Sequence, residues 1–83
     1  MLIKILKADF LGSFTMKLSF SDGKVGLLDG RLLLQRNGSL LEPLHDESYF
    51  RRHFIEAGAL NWPNGLELSP AKLHQTCPEV MAD

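Results

Sequence analysis

The run "TMKLSFSDGKVGLLDG", Thr15–Gly30, constrains the fold more than any other stretch of the chain. Met16, Leu18 and Phe20 alternate with Thr15, Lys17 and Ser19, the period-2 pattern of a strand with one buried face. Asp22-Gly23 follows, and a second alternating segment starts at Val25. A two-residue type I′ loop at Asp22-Gly23 sets Phe20 opposite Val25 and Leu18 opposite Leu27, apolar against apolar. The register one residue away sets Phe20 opposite Lys24 and turns an apolar set to the wrong face. The predicted hairpin is therefore the one that pairs Phe20 with Val25. Asp29 reads differently. It precedes "GRLLLQR", which ends at Asn37-Gly38. An Asp N-cap and an Asn or Gly C-cap bracket a short helix with Leu32 and Leu33 turned inward and Leu34 as a third candidate. Both aspartates thus have local roles, one in a turn and one in a cap.

The remaining segments are short and separated by turn residues. Leu2 to Phe10 reads as a strand, apolar on more than one face, that ends at Gly12-Ser13. "SLLEPL" is expected to be extended, because Pro43 disfavours helix at Glu42. Asp46 can cap a helix over "ESYFRR" that buries Phe50, with Tyr49 a second candidate. "HFIEA" and "ALNW" read as strands around Gly58, with Ile55 opposite Leu60 and Phe54 facing away. "WPNG" is a type I turn with Pro63 second and Gly65 fourth. "LEL" is a short strand. Ser69-Pro70 starts a helix over "PAKLHQT", which ends before Pro78. The tail from about residue 78 to 83 is expected to fray. These elements predict a single α+β domain over 1–83: a small, mostly antiparallel sheet of about five strands with two or three short helices. The expected core is Ile3, Ile5, Met16, Leu18, Phe20, Val25, Leu27, Leu33, Leu44, Phe50, Ile55, Leu60, Trp62, Leu66, Leu68 and Leu73.

Composition narrows the function classes. With 83 residues, the domain buries only about 60–65% of its unfolded surface. Its one cysteine, Cys77, cannot form an internal disulfide, and no Cys/His array offers a structural metal. A lone thiol fits a reducing compartment, so a cytoplasmic location is expected. The formal net charge of −1 supplies no concentrated basic face, which argues against direct nucleic-acid binding. The start, "MLIKILKADFLGSF", carries Lys4, Lys7 and Asp9 and is too short and too charged for a membrane span. It also lacks a secretory cleavage pattern.

No residue pattern marks a catalytic centre, and no catalytic, cofactor-binding or metal-ligating residue is assigned. Each serine reads as a turn, strand-surface or cap residue, and the seven glycines are dispersed rather than gathered in a phosphate loop. His74 and Cys77 can share a helical face but lack further ligands. Arg51-Arg52 can clamp an anion or simply solvate a helix end. Trp62 can be core, interface anchor or both. A site near Arg51, His53 and Trp62 is the alternative that a small-ligand or enzymatic reading would use.

Three segments together, "FSDGKVGLLDG", "LLEPLHDESYF" and "LNWPNGLELSPAKLH", resemble the bacterial family catalogued as domain of unknown function 2442. The matching features are the Phe20–Gly23 turn, Asp29, the spacing of Leu44, Asp46 and Phe50, then Trp62, Asn64-Gly65, Leu68, Pro70 and Leu73. The resemblance covers about residues 4 to 75. It implies a small α+β domain with no established activity or cofactor. Some members of the family carry a helix-turn-helix domain after this one. Others are encoded beside another small protein, in the manner of toxin–antitoxin pairs. This chain stops soon after the Pro70 helix, so any regulation is expected to act through a partner.

The expectation is a non-enzymatic protein-interaction module, the partner-binding or antitoxin-like component of a small bacterial regulatory pair, that forms a homodimer or a heteromer with the product of a neighbouring gene. No cofactor, membrane or direct nucleic-acid partner is expected. The interface candidates are Leu2, Leu6, Phe10, Arg51, Arg52 and Trp62, because two short helices cannot cover both faces of the first strand.

Overall fold

The computed structural model describes residues 2–36 and 38–80. Six strands form two antiparallel meanders. The first contains β1 (Ile5–Gly12), β2 (Thr15–Phe20) and β3 (Val25–Asp29), and the second contains β4 (Phe54–Glu56), β5 (Ala59–Asn61) and β6 (Glu67–Leu68). Three helices accompany them: α1 (Gly30–Leu34), α2 (Glu47–Phe50) and α3 (Pro70–Thr76). The class is the α+β expected, with six strands in two sheets where one sheet of about five was predicted.

Local chemistry sets the helix starts. The Asp29 carboxylate accepts the Arg31 N–H at 3.0 Å, and the Asp46 carboxylate accepts the Ser48 N–H at 3.0 Å. The Ser69 hydroxyl accepts the Lys72 N–H at 3.4 Å, with Pro70 in the first turn. Each bond satisfies a donor that has no acceptor inside the helix. The C-cap of α1 is Gln35; the expected cap, Asn37, lies outside the described residues. A helix this short turns one face inward, so Gly30 and Leu33 are buried while Leu32 is 62% exposed. Leu32 therefore does not join the core as predicted. "SLLEPL" is also not extended. The Gly38 carbonyl accepts the N–H groups of Leu41 and Glu42, and a 3₁₀ helix runs over Glu42–His45. Pro43 is tolerated there because the first N–H groups of a helix have no acceptor to lose.

The β2–β3 register is the one that the sequence reading rejected. Ser19 pairs with Val25, Leu18 with Gly26, and Met16 with Leu28. Phe20 lies opposite Lys24, whose carbonyl accepts the Phe20 N–H at 2.8 Å. The loop has three residues, Ser21–Gly23. The Gly23 N–H closes it onto the Phe20 carbonyl at 3.0 Å, and Gly23 carries the one positive φ, +94°. This is a type I turn followed by a left-handed glycine. The Asp22 carboxylate accepts the Lys24 N–H at 3.0 Å and reinforces the turn. The β5–β6 loop is built identically. There Trp62 donates to Leu66, Gly65 donates to Trp62, Asn64 accepts from Leu66, and Gly65 has φ +94°. In consequence Gly26 and Leu28 face the core, while Val25 and Leu27 are only half-buried on the other face. Gly26 suits the inward position because a Cβ there would meet the Cys77 Cβ at 3.2 Å.

The apolar surplus of β1 is resolved by two irregularities. Register shifts fall between Ile5 and Lys7 and between Phe10 and Gly12. Leu6 and Leu11 are the extra residues and are 65% and 56% exposed. Ile5 is buried, and Phe10 is half-buried against Phe50 with ring centroids 6.0 Å apart. The tail expected to fray from residue 78 is instead tied to β3 as far as Val80. The Leu27 N–H donates to Pro78, and the Val80 N–H donates to Val25. Residues 81–83 of the predicted frayed tail lie outside the described residues.

The core converges on Phe50, which is fully buried. Its ring packs edge-on against Phe14 at 5.3 Å and tilted against Trp62 at 5.8 Å. Its carbonyl accepts the indole N–H of Trp62 at 3.0 Å. Ser13 and Phe14 both have positive φ, 50° and 60°, an arrangement that costs a non-glycine residue about 1–3 kcal/mol. Phe14 is held there because its ring rests on Phe50 and its carbonyl accepts the Gly30 N–H at 2.7 Å. A Cβ on Gly30 would lie 2.4 Å from the Phe14 oxygen and 2.6 Å from the Phe50 ring. Gly30→Ala is therefore expected to cost about 3 kcal/mol or more through overpacking, read as a lowered midpoint of urea unfolding. An unchanged midpoint contradicts this packing.

Candidate functional site

A groove of about 670 Å³ opens between α1 and α3. Leu32 and Leu33 of α1 form one wall, and Leu73 and Cys77 of the α3 side form the other. Leu27 and Leu28 of β3 and Leu68 of β6 complete the apolar lining, while Arg36 and Lys72 stand at the rim with Asp29 and Glu67. Asp29 is already engaged, as N-cap of α1 and as partner of the Arg31 guanidinium at 3.4 Å. The groove follows from the register and the caps. Leu27 comes to the groove side because the three-residue loop displaces it from the core face. Leu32 comes there because α1 has one inward side.

The residues proposed from sequence are distributed differently. Trp62 is 1% exposed and its indole N–H is used by Phe50, so it is a core residue and not an interface anchor. Phe10 is drawn toward the core beneath the Arg51 guanidinium, 5.1 Å from its ring centre. Arg52 lies over Tyr49 at 5.5 Å. The Nδ1 of His53 sits 3.4 Å from the Phe50 carbonyl. Arg51, His53 and Trp62 therefore do not open onto a common cavity: Arg51 is held on Phe10 and Trp62 is enclosed. Leu2 and Leu6 are 78% and 65% exposed. The groove residues Leu27, Leu32 and Cys77 were missed as a site. The available signal was the Leu-rich run after Asp29, which exceeds what a helix this short can bury.

A polar cluster at the Asp22 turn fastens α3 to the first sheet. His74 Nε2 donates to the Asp22 carboxylate at 2.8 Å, and its ring stands edge-on to Phe20 at 5.0 Å. The Lys24 ammonium donates to the His74 carbonyl. The Lys24 N–H first, and His74 second, hold the Asp22 carboxyl below its ordinary 3.8. Burial pushes the Cys77 thiol up, opposed in part by the Lys24 charge. Among the described residues, no three His, Cys, Asp or Glu side chains converge on a metal position.

The fold and groove define a small α+β domain that presents an apolar cleft between two helices. The chain belongs to the family described as "Protein of unknown function (DUF2442)", whose model matches residues 5–79. No curated protein and no solved structure matches it. Among the described residues, no helix is long and apolar enough to cross a membrane.

Two outcomes follow from the titrating groups. The depressed folded-state value of Asp22 contributes stability above about pH 4 that is lost as pH falls through the folded value. Asp22→Asn is therefore expected to lower the urea midpoint at neutral pH, and the gap from wild type should close in acid. A gap independent of pH contradicts the pairing. The Cys77 thiol is expected to react slowly with an aromatic disulfide reagent in the folded protein and to speed up sharply in urea. Fast native reaction contradicts its burial.

Proposed function

We propose that this chain is a non-enzymatic interaction module that docks an apolar segment of a partner protein in the α1–α3 groove. The carrying observation is Leu32, 62% exposed above a leucine-lined cleft that the chain itself leaves open. A large apolar side chain held in water beside further apolar surface is stabilised by a partner that covers it. The leucines that line the groove are what recognition of an apolar segment calls for. In this reading the partner is the product of a neighbouring bacterial gene. The chain is the antitoxin-like or regulatory member of a cytoplasmic pair.

The size of the groove favours one competing occupant, a small apolar ligand, since sites for such ligands span about 300–1,000 Å³. Co-expression separates the two. The tagged chain is expected to retain the neighbouring gene product through purification, and Leu32→Glu is expected to release at least ~90% of it, about tenfold in affinity, while leaving the fold intact by circular dichroism. Absence of co-purification, or retention unaffected by Leu32→Glu, overturns the reading.

A further inference from the structure

The two edges of the first sheet are treated differently. Along β3, Pro78–Val80 supplies backbone partners, with Gly26 bridged to Glu79. Along β1, the outer edge receives one bond, from the Ile5 N–H to the Gly58 carbonyl at 2.8 Å. Beyond Ile5 the described residues supply no further backbone partner to that edge. Phe20 donates to Lys24, so the even-numbered residues of β2 aim their backbone groups at β3. The odd-numbered residues aim at β1, where Ser19 pairs with Lys7 and Lys17 with Asp9. Alternation then leaves the N–H and C=O of Ala8 and Phe10 pointing outward. An open edge of this kind is a template for another strand.

The geometry points to a second copy of this chain as the occupant of that edge. We propose a symmetric homodimer in which β1 pairs antiparallel with β1 of the second copy about a two-fold axis at Ala8. The argument is charge register. Lys7 and Asp9 flank Ala8 on one face of the strand, 70% and 37% exposed, and are 3.7 Å apart at their charged ends. An axis at Ala8 sets Lys7 of each copy opposite Asp9 of the other, two attractive pairs. An axis at Lys7 sets ammonium against ammonium, and an axis at Asp9 sets carboxylate against carboxylate. Opposite charges directly across a ladder stabilise it, and like charges destabilise it. The regular stretch from Lys7 to Phe10 lies between the two register shifts. The axis at Ala8 places Leu6 of one copy opposite Phe10 of the second, covering one exposed leucine per chain. The proposal does not depend on the α1–α3 groove, which lies on other elements.

Sedimentation of the full chain from micromolar to submillimolar concentration tests it, together with a charge cycle. Wild type is expected to dimerise. Lys7→Glu and Asp9→Lys should each weaken the dimer at least ~tenfold, because each creates two like-charge pairs. The double exchange should restore wild-type affinity. Circular dichroism checks that each variant is folded. An independent readout is crosslinking of Ala8→Cys in a Cys77→Ser background with a short bis-maleimide. Hydrogen-bonded antiparallel partners sit about 5.5 Å apart at Cα, within the span of such a reagent, so a covalent dimer should form. A monomeric mass throughout, single exchanges without effect, a double exchange that fails to restore, or no covalent dimer overturns the assignment.

Discussion

Phe50 is the contact on which the rest of the structure depends. Its ring touches Phe10 and Phe14 of the first sheet's strand and turn and Trp62 at the end of the second sheet's central strand. Its carbonyl satisfies the indole N–H that would otherwise be buried without a partner. A chain of this size cannot build one large core from two small three-stranded sheets, each marginal by itself. It uses one aromatic residue on a single-turn helix to join them. The strained Phe14 turn and the glycine at the start of α1 are consequences. The turn is held by the ring below it, and only glycine leaves room where α1 leaves the sheet.

That economy explains where open surface remains. The apolar residues exceed what two sheets and three short helices can enclose. Part of the surplus emerges in the cleft between α1 and α3 and along β1, and Leu2, Leu40 and Phe54 are exposed elsewhere. The Asp22–His74 pair and the Lys24 bond to the His74 carbonyl fasten α3 against the β2–β3 loop. Cys77 and the Pro78–Val80 segment continue that attachment along β3. One side of the first sheet is thereby closed and stapled, and the opposite side is left open.

The sequence reading succeeded where a residue acts on its own neighbours. Asp29, Asp46 and Ser69 cap helices because each side-chain oxygen reaches an N–H two or three residues on. Ile55 opposes Leu60, and Phe54 faces outward, because a tight turn and alternation suffice. It failed where two local solutions had similar quality. The Phe20–Lys24 loop suits a two-residue type I′ turn in composition, and apolar pairing favoured that register. The structure uses a three-residue loop. The same aromatic-x-Asx-Gly pattern recurs at Trp62–Gly65, where Pro63 had already marked the type I turn. The two-residue loops with paired positive φ occur instead at Ser13-Phe14 and Ala57-Gly58, and the first of these carries no glycine or asparagine to announce it.

What the sequence by itself determined is therefore the class, most of the order of elements, the N-cap residues and most of the core. These depend on period, capping and turn chemistry, which act over a few residues. Only the tertiary structure decided the β2–β3 register, the burial of Trp62, the exposure of Leu32 and the anchoring of Pro78–Val80. The physical reason is that each is settled by a contact between segments distant in the chain. Cys77 rests on the bare face of Gly26, Phe50 accepts the Trp62 N–H, and His74 meets Asp22. Such contacts leave no periodic trace in the chain, so their energies became visible only once the segments had been brought together.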